Sequence, residues 1–132
     1  MIINRRQFLM LLAGAAAGCR TNQGPVAAAG PRIVNAGPAG NYVADGIYGR
    51  FRDQGFFVIR QGGQWFALSA ICTHKKCRLS AEADRTFVCP CHGSTFDPGG
   101  RVTKGPARRD LPVYPVTLNE RNELLVTLFA AP

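Results

Sequence analysis

Acidic residues are scarce in this chain: 8 Asp and Glu stand against 16 Lys and Arg, leaving a formal charge of +8 over 132 residues. A surface so poor in carboxylates repels basic partners and attracts acidic ones. Long apolar runs are also lacking. The apolar segment from Phe8 to Ala17 is shorter than the about 20 residues a transmembrane helix needs. No repeat recurs along the chain, which excludes solenoid arrays. Beyond the first residues no helical periodicity is sustained, apart from a short turn expected near Ser80 to Asp84, so a helix bundle is excluded as well. Nothing supplies a catalytic nucleophile or general base outside two short clusters of cysteine and histidine.

Those clusters are Cys72-Thr73-His74-Lys75-Lys76-Cys77 and Cys89-Pro90-Cys91-His92-Gly93-Ser94. Each places one Cys and one His close enough to share a metal, and each carries a further Cys. Structural zinc also takes two Cys and two His, but zinc fingers usually open with a Cys pair and close with a His pair. Here the two types are mixed within each half, as Cys-x-His and Cys-x2-His. A third reading joins all four cysteines into two disulfides and leaves the histidines incidental. The order and spacing of both halves fit mixed ligation of a [2Fe–2S] centre best, and the pattern resembles the Rieske family.

The resemblance implies a role for each position. Cys72 and Cys89 would ligate one iron, and His74 and His92 the other. Neutral imidazoles replace two anionic thiolates, so an electron is accepted at a higher potential than in an all-cysteine ferredoxin. Cys77 and Cys91 match the pair that forms a disulfide in quinol-oxidising members and is lacking in oxygenase ferredoxins. Ser94 matches a serine whose hydroxyl bonds a bridging sulfide. Two positions on, high-potential members carry a tyrosine that bonds a ligand sulfur. This chain has Phe96, which implies a lower potential or simply an aromatic core residue. Gly105-Pro106-Ala107 resembles the proline loop that covers the cluster. Lys75 and Lys76 depart from the apolar residue and glycine usual in quinol-oxidising members, which argues against direct quinol oxidation.

Asn4-Arg5-Arg6-Gln7-Phe8-Leu9-Met10 resembles a twin-arginine export signal, with Phe8 to Ala17 as its apolar region. Such export carries folded proteins, which suits a cofactor inserted in the cytoplasm. Cys19 is the fifth cysteine and has no partner in this scheme. Ala16-Ala17-Gly18-Cys19 resembles a lipoprotein cleavage box, making Cys19 a candidate lipidation site; an uncleaved anchor or a soluble periplasmic form are the alternatives. Residues 20–31, rich in Gly, Ala and Pro, read as a flexible tether or a plain spacer.

Residues 32–132 leave room for one small all-β antiparallel domain with the two cluster loops at one end, as the Rieske resemblance implies. Hairpins are predicted at Phe56–Arg60 with Trp65–Leu68 and at Val113–Leu118 with Glu123–Leu128, and Phe87-Val88 as a short strand. Asp97-Pro98-Gly99-Gly100 is a turn signal. Basic residues crowd the clusters: Lys75, Lys76, Arg78, Arg101, Lys104, Arg108 and Arg109. The expected function is one-electron transfer in an exported, membrane-associated redox chain. The expected partners are an acidic cytochrome and a larger oxidoreductase subunit, such as that of a periplasmic molybdenum oxidase. A bc-type quinol oxidase subunit is the alternative, and a redox-inactive zinc module the reading of a different class. Export argues against nucleic acid.

Overall fold

The structure, a computed structural model, describes residues 30–130; the expected export signal, Cys19 and the expected tether up to residue 29 lie outside them. The described strands are β1 (Arg32–Pro38), β2 (Gly46–Tyr48), β3 (Phe56–Gln61), β4 (Gln64–Ser69), β5 (Ser80–Ala81), β6 (Phe87–Val88), β7 (Thr95–Phe96), β8 (Val102–Lys104), β9 (Val113–Tyr114), β10 (Val116–Leu118) and β11 (Glu123–Leu128). They form three antiparallel sheets, ordered β1-β11-β10, β2-β3-β4-β9 and β5-β6-β7-β8. No described helix is long and apolar enough to cross a membrane.

The sheet β2-β3-β4-β9 lies between the other two layers. An antiparallel strand with one wet face alternates apolar and polar residues, but β3 opens with Phe56, Phe57, Val58 and Ile59, all buried. Phe56 and Val58 pack with Leu124 and Val126 of β11 and with Tyr114, whereas Phe57 and Ile59 pack with Phe87, Phe96 and the cysteines Cys72 and Cys89. One strand thus anchors both a structural core and the core beneath the cluster loops. The predicted β3–β4 hairpin forms with Gln61 opposite Gln64. Its two-residue turn, Gly62-Gly63, takes positive φ values of 59° and 80°, the conformation that matches the twist of a tight hairpin.

The second predicted hairpin is different. Pro115 has no N–H to give a ladder, and the expected strand Val113–Leu118 divides there. β9 pairs with β4 in the middle sheet, while β10 pairs with β11 in the outer one. The Pro115 carbonyl still accepts from the Thr127 N–H at 3.0 Å. The short turn expected near Ser80 to Asp84 is a hairpin: β5 and β6 pair, and Glu82 N–H donates to the Thr86 carbonyl at 2.8 Å. Two 3₁₀ segments, Ala39–Asn41 and Gly49–Gln54, carry no helical periodicity because they are too short to show one. The second packs Phe51 on Phe56 with ring centroids 5.1 Å apart. Arg52 Nε donates to the Leu79 carbonyl at 2.6 Å, tying this segment to the strand that leaves the first cluster loop.

The β10–β11 turn centres on Asn119 and Glu123. Both Asn119 and Asn35 donate their side-chain amides to Glu123 Oε2 at 2.8 Å. The Asn119 amide first, and then that of Asn35, hold the Glu123 carboxyl below its ordinary pKa. A carboxyl depressed in the folded state adds stability above its unfolded value, which is lost as pH falls through the folded value. The urea midpoint should therefore drop as pH falls below about 4.3, and Glu123→Gln should shrink that drop. Equal acid sensitivity of the two proteins in urea titrations would remove Glu123 from the account.

Candidate metal centre

Two loops of matching construction meet at one end of the β5-β6-β7-β8 sheet. The first is entered through a bridge between Ile71 and Arg78 and closed by Cys72 N–H donating to the Cys77 carbonyl at 2.8 Å. The second is closed by Cys89 N–H donating to the Ser94 carbonyl, also at 2.8 Å. In each, the first cysteine begins a tight reversal and the histidine sits at its tip. Gly93 N–H donates back to the Cys89 carbonyl at 2.9 Å, and the reversal puts Gly93 at φ 76°, where a side chain would be strained.

A disulfide joins Cys77 to Cys91 across the loops, with Cα atoms 6.5 Å apart. Cys72 and Cys89 remain free thiols, 3% and 1% exposed. His74 and His92 are exposed, and their rings face each other edge to face at 5.0 Å. The sulfurs of Cys77, Cys89 and Cys91 lie within 4.8 Å of one another; since two of them are bonded together, this places the disulfide against the Cys89 thiol and leaves one of the three as a thiolate donor. The reading with two disulfides fails here, because Cys72 and Cys89 do not pair. The donors left are two buried thiols and two exposed imidazoles from two loops, a set that suits a mixed-ligand iron–sulfur centre.

Contacts around the loops were less legible in the sequence. Ser94 is fully buried, and its Oγ accepts from the Ala107 N–H at 3.0 Å. Its own hydrogen finds no protein acceptor among the described residues, so it is available to a buried sulfur. Thr73 Oγ1 donates to the Arg109 carbonyl at 2.6 Å. The segment from Gly105 to Arg109, which contains a cis Gly105–Pro106 bond, is thereby fastened to both loops. Neither Thr73 nor Ala107 carries a side-chain signal that would announce this. Gly100 supports the arrangement from below: a Cβ there would meet Leu68 at 2.9 Å and Leu111 at 3.3 Å. Phe96, fully buried, packs in the same core as Cys72 and Cys89.

The basic residues are not equivalent. Arg78 turns toward the 3₁₀ segment, where its Nη2 donates to the Asp53 carbonyl at 3.0 Å and its Nε lies 3.9 Å from the Asp53 carboxylate. Lys75, Lys76, Lys104 and Arg108 are exposed, and among the described residues no carboxylate pairs with them. An open cleft of about 350 Å³ beside His74 is lined by Thr73, Pro106, Arg108 and Arg109.

A β domain with one buried thiol and one exposed imidazole on each of two linked loops has the donor set of a metalloprotein with mixed sulfur and nitrogen ligation. A family model for the Rieske [2Fe–2S] domain matches residues 40–115. The chain belongs to that family, and its cofactor is a [2Fe–2S] cluster. It is 46% identical over 63 residues to a Haloferax mediterranei protein described as a respiratory nitrate reductase Rieske subunit, covering 46% of this chain and 29% of that one. The cytochrome b6-f complex iron-sulfur subunit of Chlorobaculum tepidum is 38% identical over 96 residues, 67% of this chain and 52% of the relative. The match therefore spans about half, or less, of these relatives' own lengths. Among solved structures, the cyanobacterial plasma membrane Rieske protein PetC3 from Synechocystis PCC 6803 superposes with a TM-score of 0.53 at 33% identity, covering 70% of this chain and 97% of that one.

The cysteines of the disulfide are 14 positions apart. Closing a loop of that size is worth about 3 kcal/mol in the chain-entropy account. The double variant Cys77→Ser, Cys91→Ser should lose about that much stability and shed its visible absorbance sooner in urea. Unchanged absorbance decay would mean that the hydrogen bonds from Thr73 and Ala107 already hold the loops together.

Proposed function

We propose that the chain is an exported one-electron carrier, tethered through its N-terminal segment to the outer face of the inner membrane. In this reading Cys72 and Cys89 hold one iron and His74 and His92 the other. The observation that carries it is the divided exposure of the four donors: both thiols are buried, and both imidazoles reach solvent at the same end. When bound, the [2Fe–2S] cluster accepts and returns a single electron. The buried cysteines keep the sulfur side dry, where nearby dipoles act strongly. The histidines bring the other side to the surface, where a partner can approach.

The chain's own residues set the driving force. With the cluster bound, the spare Ser94 hydrogen would stabilise the more negative reduced state by bonding sulfur. Phe96 offers no second donor, and the exposed cations of the tip offset part of that loss. The twin-arginine pattern at Asn4 to Met10 and the odd Cys19 support export and anchoring, and a solved relative is described as a plasma membrane protein. The electron partners fit an acidic cytochrome on one side and a larger oxidoreductase subunit on the other. Phe96 favours the relay subunit of a periplasmic molybdenum oxidase. A bc-type subunit oxidising quinol directly, with His92 bonding the quinol, is disfavoured, because an apolar quinol reaching the exposed histidines meets Lys75, Lys76 and the two arginines of the cleft beside His74.

The test is made on the cluster-loaded protein. Two irons per chain, no zinc, a red-brown colour and a midpoint potential within about −150 to +300 mV are expected. Phe96→Tyr should raise the potential, and quinol should not reduce the protein in membranes. A colourless protein with one zinc would end the electron-transfer reading. Rapid reduction by quinol would replace the relay with the bc-type role.

A further inference from the structure

The exposed cations at the loop end that pair with no carboxylate among the described residues are not spread evenly around the histidines. Lys75 and Lys76 follow His74 directly on the exposed tip of the first loop. Arg108 stands across the cleft beside that histidine, together with Arg109, Thr73 and Pro106. Neither loop contains an acidic residue, and none occurs from Lys104 to Arg109. The nearest carboxylate in sequence, Asp110, is engaged by the Val102 N–H at 2.9 Å. The cleft wall is also preformed: Thr73 holds the Arg109 carbonyl and Ser94 holds the Ala107 N–H. Arg108 therefore projects from a backbone already fixed to both loops, so only its side chain remains to be ordered on binding.

Planar guanidinium groups match carboxylates, whereas lysines act as point charges on flexible stems. We propose that the cleft beside His74 is the seat of an acidic partner protein: a carboxylate side chain of the partner binds at Arg108 in the cleft, while Lys75 and Lys76 steer the encounter. This rests on the electron-transfer reading and names the part of the tip that selects the partner. It places the docked carboxylate next to an iron-ligating imidazole, so the recognition contact and the shortest route for the electron coincide. The guanidinium sets how long the complex lasts, and the lysines set how often it forms.

The experiment uses the cluster-loaded protein and two readouts. The first is binding of a fluorescently labelled hexaglutamate peptide by anisotropy, at an ionic strength of about 0.01 M and again at about 0.15 M. The second is oxidation of the reduced protein by hexacyanoferrate(III), an anion, and by tris(phenanthroline)cobalt(III), a cation. The tip variant Lys75→Glu, Arg108→Glu is compared with Arg32→Glu, Arg121→Glu, an equal charge change on the outer sheet. At low salt the tip variant should bind the peptide about tenfold more weakly and reverse the preference for the anionic oxidant, with the outer-sheet variant within about twofold of the parent. Equal losses in both variants would reduce the effect to net charge and overturn the proposal. So would tip-dependent binding to phosphatidylglycerol vesicles without peptide binding, which would make the patch a lipid contact. Failure of the electron-transfer reading looks different: neither oxidant would react, whatever the peptide did.

Discussion

Much of this structure follows from the need to bury two thiols while exposing two imidazoles a few residues away. Bare thiolates in an apolar core carry a large desolvation cost, which metal ligation offsets. The loops must therefore turn the sulfurs inward and the rings outward, and the chain's own bonds help to hold them so. A matching hydrogen bond from each first cysteine, Cys72 to Cys77 and Cys89 to Ser94, closes each loop. The Cys77–Cys91 bond then fixes one loop to the other. The double-faced β3 strand is a consequence as well. A small domain has little apolar surface to spend, and a strand buried on both sides lets the core that carries the loops lean on the core that carries the fold.

The candidate site was legible in the sequence because each candidate ligand is a distinctive residue type and each spacing is short. Cys-x-His and Cys-x2-His could be read without the fold, and so could the spare cysteines. The β3–β4 hairpin was legible too: its strands alternate poorly, but Gly62-Gly63 suits the tight two-residue turns that need positive φ. What escaped depends on backbone groups. Thr73 binding the Arg109 carbonyl spans 36 positions, and the Ala107 N–H belongs to a residue whose side chain signals nothing. The division of one expected strand at Pro115 was visible in principle, since proline is poorly tolerated inside a central ladder. The apolar residues on both sides of it overrode that warning. β1 was not picked out at all. Its outward positions, Ile33 and Asn35, pair with Thr127 and Leu125 of β11, and its pattern alone is too weak to mark a strand.

The positive charge of the loop end has two consequences of opposite reach. Near the irons, cations favour the reduced state at short range and through little water. Farther out, the same cations draw an acidic surface toward the histidines at distances that salt limits to about 10 Å. A partner bearing carboxylates would neutralise part of this charge on docking. The short-range benefit to the reduced state would then fall just as the complex forms. In the proposed reading, docking on this face would make the cluster a better donor toward an acidic acceptor than it is alone. Lysines and an arginine at the tip, rather than the apolar residues suited to a quinol, fit the proposed docking of an acidic protein on this face.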